Sequence, residues 1–153
     1  FSTFLNRRNA MKRKYIIFFI FAFLISSGSQ SFAADVKVKL ASVFNNKGYI
    51  FAGICPEKGF LKKYKDCRAN VKIRALEGSL EFVFENIPNG KYAIMAYHDE
   101  NNNGKMDANF LGIPKEGYGF SNNAKSRFSA PSFEKASFDV INANLEQKIN
   151  MIY

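Results

Sequence analysis

The chain has 153 residues, with 22 Lys and Arg against 13 Asp and Glu for a formal charge of +9, two cysteines, one histidine and no tryptophan. Five of the basic residues (Arg7, Arg8, Lys12, Arg13 and Lys14) precede position 15, and the rest of the chain carries 17 basic against 13 acidic residues, or +4. The charge is therefore weak ground for nucleic-acid binding, and no aromatic-basic recognition module accompanies it. Two cysteines likewise fall short of the two closely spaced pairs a zinc knuckle requires.

Residues 1–10 stand ahead of Met11 and are read as a non-native or upstream extension. Residues 11–33 have the pattern of a secretory signal peptide: Lys12-Arg13-Lys14, then eleven apolar residues over 15–25, then a small polar stretch closing on Ser31-Phe32-Ala33. Ser31 and Ala33 are the small residues a signal peptidase requires before its cut. Eleven apolar residues are too few for the roughly 20 of a bilayer span. Cleavage after Ala33 is expected to release residues 34–153 as one periplasmic or secreted domain with no membrane span. Its 120 residues match an ordinary domain of about 100–150.

Val36, Val38 and Leu40 alternate with Lys37, Lys39 and Ala41, the period of a half-buried strand over 36–41. Asn45-Asn46-Lys47-Gly48 reads as a turn, and 49–55 resumes with Ile50, Ala52 and Ile54 on one face, so the two strands are expected to pair as a hairpin. Cys55 and Cys67 enclose a polar segment with one short helical turn. In an exported chain they are expected to form a disulfide rather than a metal or catalytic site. Lys58, Lys62, Lys63, Lys65 and Arg68 make a solvated basic face. A third strand is expected over 69–75. A fourth follows over 79–85, with Leu80, Phe82 and Phe84 inward and Glu81 and Glu85 outward. After the turn Ile87-Pro88-Asn89-Gly90, residues 91–98 are apolar on both faces, which predicts a central strand.

From the end of that strand leaves Asp99-Glu100-Asn101-Asn102-Asn103-Gly104-Lys105-Met106-Asp107-Ala108-Asn109. Oxygen-bearing side chains recur at every second position, a glycine follows, and Asp107 comes four residues after Asn103. This is the opening half of a calcium loop, in which Asp99, Asn101, Asn103, the Lys105 carbonyl and Asp107 would supply hard oxygens. Position twelve of an EF-hand, a bidentate Glu, is here Phe110. An ordinary EF-hand is thereby excluded unless Glu100, Asn109 or Glu116 folds back to complete the shell. The same residues also build plain tight turns, because short amides and carboxylates bond their own backbone. Spacing alone leaves calcium and the simple turn both open.

Residues 110–132 show no period, and so long a connection in a compact domain is often functional. Phe110, Tyr118, Phe120, Phe128 and Phe133 are expected to pack it onto the body. Strands over 136–141 and 145–153, joined by Asn142-Ala143-Asn144, complete the chain. Seven short strands with no long amphipathic helix predict an all-β fold, an antiparallel seven-stranded β-sandwich of immunoglobulin-like or transthyretin-like type. An outer-membrane barrel would need longer strands with an outward apolar band.

The runs Ile87-Pro88-Asn89-Gly90-Lys91-Tyr92-Ala93-Ile94, His98-Asp99-Glu100-Asn101 through Asp107-Ala108-Asn109, Gly112-Ile113-Pro114-Lys115-Glu116-Gly117-Tyr118-Gly119-Phe120-Ser121-Asn122-Asn123-Ala124 and Ala130-Pro131-Ser132-Phe133 closely resemble the bacterial family called Domain of Unknown Function 2141. The resemblance covers essentially all of residues 34–153. It implies a small exported β-sandwich with no established activity. The Pro-x-Gly-x-Tyr turn is also similar to that of transthyretin-like and surface-adhesin B-type domains, some of which carry a similar loop that binds calcium. The cysteine pair is not part of the family pattern.

Two functional readings follow. One is a non-enzymatic binding or structural module whose binding loop (His98, Glu116, Tyr118, Phe120, Asn122 and Asn123) faces an envelope protein or a glycan. The alternative is a small hydrolase-like enzyme centred on His98, with Ser121 or Ser126 as the nearest hydroxyls. No nucleophile-elbow or zinc-protease signature supports the second.

Overall fold

The structure, a computed structural model, describes residues 33–62, 64–127 and 129–153. The upstream extension, the leader up to Phe32, Lys63 and Phe128 lie outside the described residues. Eight strands occur among the described residues, in two sheets: β1(Ala33–Val43), β2(Tyr49–Cys55), β3(Ala69–Arg74), β4(Gly78–Pro88), β5(Gly90–Asp99), β6(Tyr118–Phe120), β7(Phe138–Val140) and β8(Leu145–Asn150). A single helical turn, α1(Phe133–Ala136), precedes β7.

The first sheet has the order β4-β1-β8, and the second runs β3-β2-β5-β6, with β7 also on β5. Pairing is antiparallel except for β1 with β8, which run parallel from Val36 opposite Leu145 to Ala41 opposite Asn150. The expected hairpin of the first two strands does not form, because β1 and β2 belong to different sheets. Their alternating apolar residues meet face to face: Val36, Val38 and Leu40 share one core with Ile50, Ala52 and Ile54. The connecting turn crosses between sheets. Its Gly48 sits at φ 61°, where a Cβ would fall 1.8 Å from the Asp99 carbonyl oxygen.

β5 is central, as its two apolar faces predict. Tyr92, Ile94 and Ala96 enter the main core, while Ala93 and Met95 meet Phe60, Phe120, Ala124 and Phe133 in a second cluster outside the sheet. Tyr118, Phe120 and Phe133 thus fasten the long connection to the body, but Phe110 does not: it is 94% exposed. The outer edge of β5 is shared, with β7 on Gly90 to Tyr92 and β6 on Met95 to Tyr97. β6 is the strand beyond the expected seven, three residues too short to show a period. Ala136, expected in a strand, closes α1 instead.

Cys55 and Cys67 form a disulfide, with Cα atoms 4.0 Å apart. The segment it closes includes a short 3-10 turn at Tyr64–Asp66. On the outer face of the first sheet Lys37 and Lys39 pair with Glu81, and Lys39 also reaches Glu146 at 3.3 Å. These pairs are solvent-exposed and add little to stability.

Candidate functional site

The nominated loop begins where β5 ends. Asp99 is fully buried, and its two carboxylate oxygens accept the backbone N–H groups of Asn103 at 3.0 Å and Gly104 at 2.8 Å. Asn101 and Asn103 fold the same turn through their own oxygens, which accept the N–H groups of Asn103 and Lys105. Asn102 and Gly104 adopt the left-handed backbone that such a bend needs. The amide nitrogens of Asn101 and Asn103 then converge on one atom, Oδ2 of Asp107, at 2.6 and 3.0 Å. Three of the four nominated side chains therefore meet at a point. Asp99 instead holds the loop backbone from beneath, and Lys105 is exposed.

Beyond Asp107 the chain makes a small antiparallel arm. Lys115 donates to the Asp107 carbonyl, Ala108 bridges Pro114, and Asn109 pairs its N–H with the Ile113 carbonyl. The Asn109 side chain caps the arm by accepting from Leu111 and Ile113. This arm carries Phe110, the residue at the twelfth loop position, out to its tip. It also returns the chain so that Glu116 arrives beside the loop, buried, with its oxygens on the N–H groups of Glu100 at 3.1 Å and Asp107 at 2.9 Å. Of the three residues considered for folding back, Glu116 does so. Glu100, Asn101, Asp107 and Glu116 line one cleft between Lys47 and Lys115.

The donor set is right in kind for a hard cation: carboxylates, amides and carbonyls. In position it is engaged with protein N–H groups, and among the described residues no three His, Cys, Asp or Glu side chains cluster as metal ligands. The bend itself is closed by the Asp99, Asn101 and Asn103 oxygens.

His98 lies at the inner end of β5, fully buried. Its Nε2 lies 2.7 Å from the Lys47 carbonyl and its Nδ1 2.7 Å from the Tyr153 hydroxyl. The carbonyl can only accept, so Nε2 donates to it, while Nδ1 shares a hydrogen bond with the Tyr153 hydroxyl, whose oxygen also accepts the Phe44 N–H. Both ring nitrogens are engaged in joining the first crossing turn to the C-terminal segment.

A family model described as an uncharacterized protein conserved in bacteria (DUF2141) matches residues 38–148. The chain belongs to the DUF2141 family. The DUF2141 match runs from within β1 to within β8 and includes the loop, the arm and Glu116. Neither the curated proteins nor the solved structures yield a match.

The remaining nominated residues of this DUF2141 chain do not form one surface. Tyr118 and Phe120 lie on β6, against the outer face of the second sheet. Asn122 and Asn123, both in left-handed backbone, turn elsewhere: Asn122 donates to the Ser137 carbonyl, and Asn123 accepts the Asn150 N–H. Ser121 between them is buried, its hydroxyl accepting the Ile94 N–H and donating to the Ala136 carbonyl. Sequence reasoning placed Ser121 only as a possible nucleophile near His98. Its structural role has no local signature, because the partners come from β5 and α1.

Proposed function

We propose that this DUF2141 protein is an exported, non-enzymatic binding or structural module. In this reading its two sheets form a sandwich of immunoglobulin-like or transthyretin-like kind, with a calcium-type loop at one end that faces an envelope protein or glycan. Export is supported by the signal-like leader and by the disulfide, which suits an oxidising compartment. The observation that carries the loop assignment is that Asn101, Asn103 and Asp107 come together beside buried Glu116; they touch through the two amide nitrogens, so an ion would be held with those amides turned to present oxygen. Asp107, Asn101, Asn103 and the Lys105 carbonyl, backed by Asp99, are the residues that would hold the ion. Calcium, when bound, supplies a compact positive charge that ties these oxygens together.

The plain-turn reading is favoured by a different observation, that every oxygen of Asp99 and Glu116 already accepts a backbone N–H. Thermal melting of the purified protein in calcium and in chelator separates the two. Preferential binding to the folded state adds about 2.7 kcal/mol when the ion exceeds its Kd 100-fold, enough to raise the midpoint by several degrees, and Asp107→Ala should abolish the rise. An unchanged midpoint at millimolar calcium leaves the turn alone. The hydrolase reading is weaker, since His98 has both nitrogens engaged and Ser121 is bonded to backbone.

A further inference from the structure

On the outer face of the second sheet lies a cavity of about 620 Å³, a volume typical of small-molecule sites, which run from roughly 300 to 1,000 Å³. Strand register builds its floor: Tyr97 opposes Tyr118 and Met95 opposes Phe120 across β5 and β6, and all four line the space. Met106 and the arm residues Leu111, Ile113 and Pro114 form one wall, and Ser126, Ser129 and Ala130 contribute another. Leu61 also lines it and is 47% exposed, and Leu111 and Ile113 are 68% and 55% exposed. Clustered apolar exposure of this kind marks a surface that something else covers. Leu61 holds its place from a left-handed backbone at φ 56°, a conformation costly for a bulky side chain and often retained where a ligand sits.

The lining also selects its occupant. Among the described residues it includes no Asp, Glu, Asn or Gln, the groups that would take up the hydroxyls of a sugar, and its two charged members, Lys62 and Arg127, are both cationic. Thioethers, aliphatic chains and aromatic rings lie with cations and without acids. The geometry points to a free fatty acid, its chain along Met95, Phe120 and the arm and its carboxylate at the exposed ammonium of Lys62. This site goes beyond the cation-loop reading and does not require calcium.

Calorimetric titration of the purified protein with octanoate, decanoate, dodecanoate and dodecanol, in calcium and in chelator, tests it. Dodecanoate should bind one to one, tightening roughly fourfold per added methylene across the series, and at least tenfold more tightly than dodecanol. Ile113→Asp should weaken dodecanoate at least tenfold, and Lys62→Glu should remove the preference for the acid over the alcohol. Both replaced side chains are exposed, so an unchanged melting midpoint certifies the fold of each variant. Dodecanoate binding that persists in chelator supports the site whether or not the loop takes an ion. No binding below millimolar dodecanoate, equal affinity for dodecanol, or undiminished affinity in Ile113→Asp would overturn the proposal. An oligosaccharide whose binding Ile113→Asp abolishes would put a glycan in its place.

Discussion

The hydroxyl of Ser121 lies where the outer edge of β5 passes from β7 to β6, and it takes up the Ile94 N–H that neither short strand reaches. Ser121→Ala strands that N–H in a buried place, which costs about 1–3 kcal/mol and should lower the denaturant midpoint at an unchanged slope. Two phenols set a pH limit. Burial raises the Tyr153 hydroxyl above its ordinary value, the Phe44 N–H pulls the other way, and Glu100 adds to the rise. Tyr97 is raised by burial and then by the Asp99 and Glu116 carboxylates. A group raised on folding stabilises fully below its unfolded pKa, about 10 for tyrosine, and that share is lost as pH climbs through the folded value. Melting midpoints should therefore be insensitive to these phenols up to about pH 10 and fall above it, and the double variant Tyr97→Phe, Tyr153→Phe should flatten the fall. Apart from Asp99, two residues along β5 from Tyr97, the partners come from distant elements, so these roles were not legible from neighbours in the chain.

At the scale of elements, alternation marked which side chains point together but not which strands lie side by side. Asn45-Asn46-Lys47-Gly48 uses residues that suit a hairpin and a crossing turn equally, since both need short polar side chains and a left-handed glycine. Inward facing of Val36, Val38 and Leu40 held, while the pairing of β1 with β2 did not. The fold-back of Glu116 depends on the arm over 107–115, whose bridges join residues that no period links. The cysteine pair was readable because two cysteines allow one partner each. It clamps the connection from β2 to β3, and Cys55→Ser with Cys67→Ser should cost on the order of 3 kcal/mol, read as a lower denaturation midpoint matched by the reduced parent protein.

For the whole molecule, the class was written in the hydrophobic pattern: short strands with polar turns give two sheets around one core. The two-faced β5 is central as its pattern predicts, and its outer face meets Phe60, Phe120, Ala124 and Phe133. Phe110 departed from its expected burial, because hydrophobicity sets a preference and the capped turn at Asn109 overrides it. β6 escaped notice for its length, although Tyr118-Gly119-Phe120 has the aromatic alternation of a strand, and its glycine admits Ile149, whose Cγ2 would lie 2.7 Å from a Cβ there.

The parallel union of β1 with β8 joins groups 109 positions apart, from Asp35 with Asn144 to Phe44 with Tyr153. Closure over such a span is among the slower steps a small domain takes. Until residues 145–153 dock, β1 has a neighbour on one side only and His98 lacks its phenolic partner. The last stretch acts as a clasp, and a polypeptide still emerging from a narrow channel stays unlatched until that clasp has cleared it.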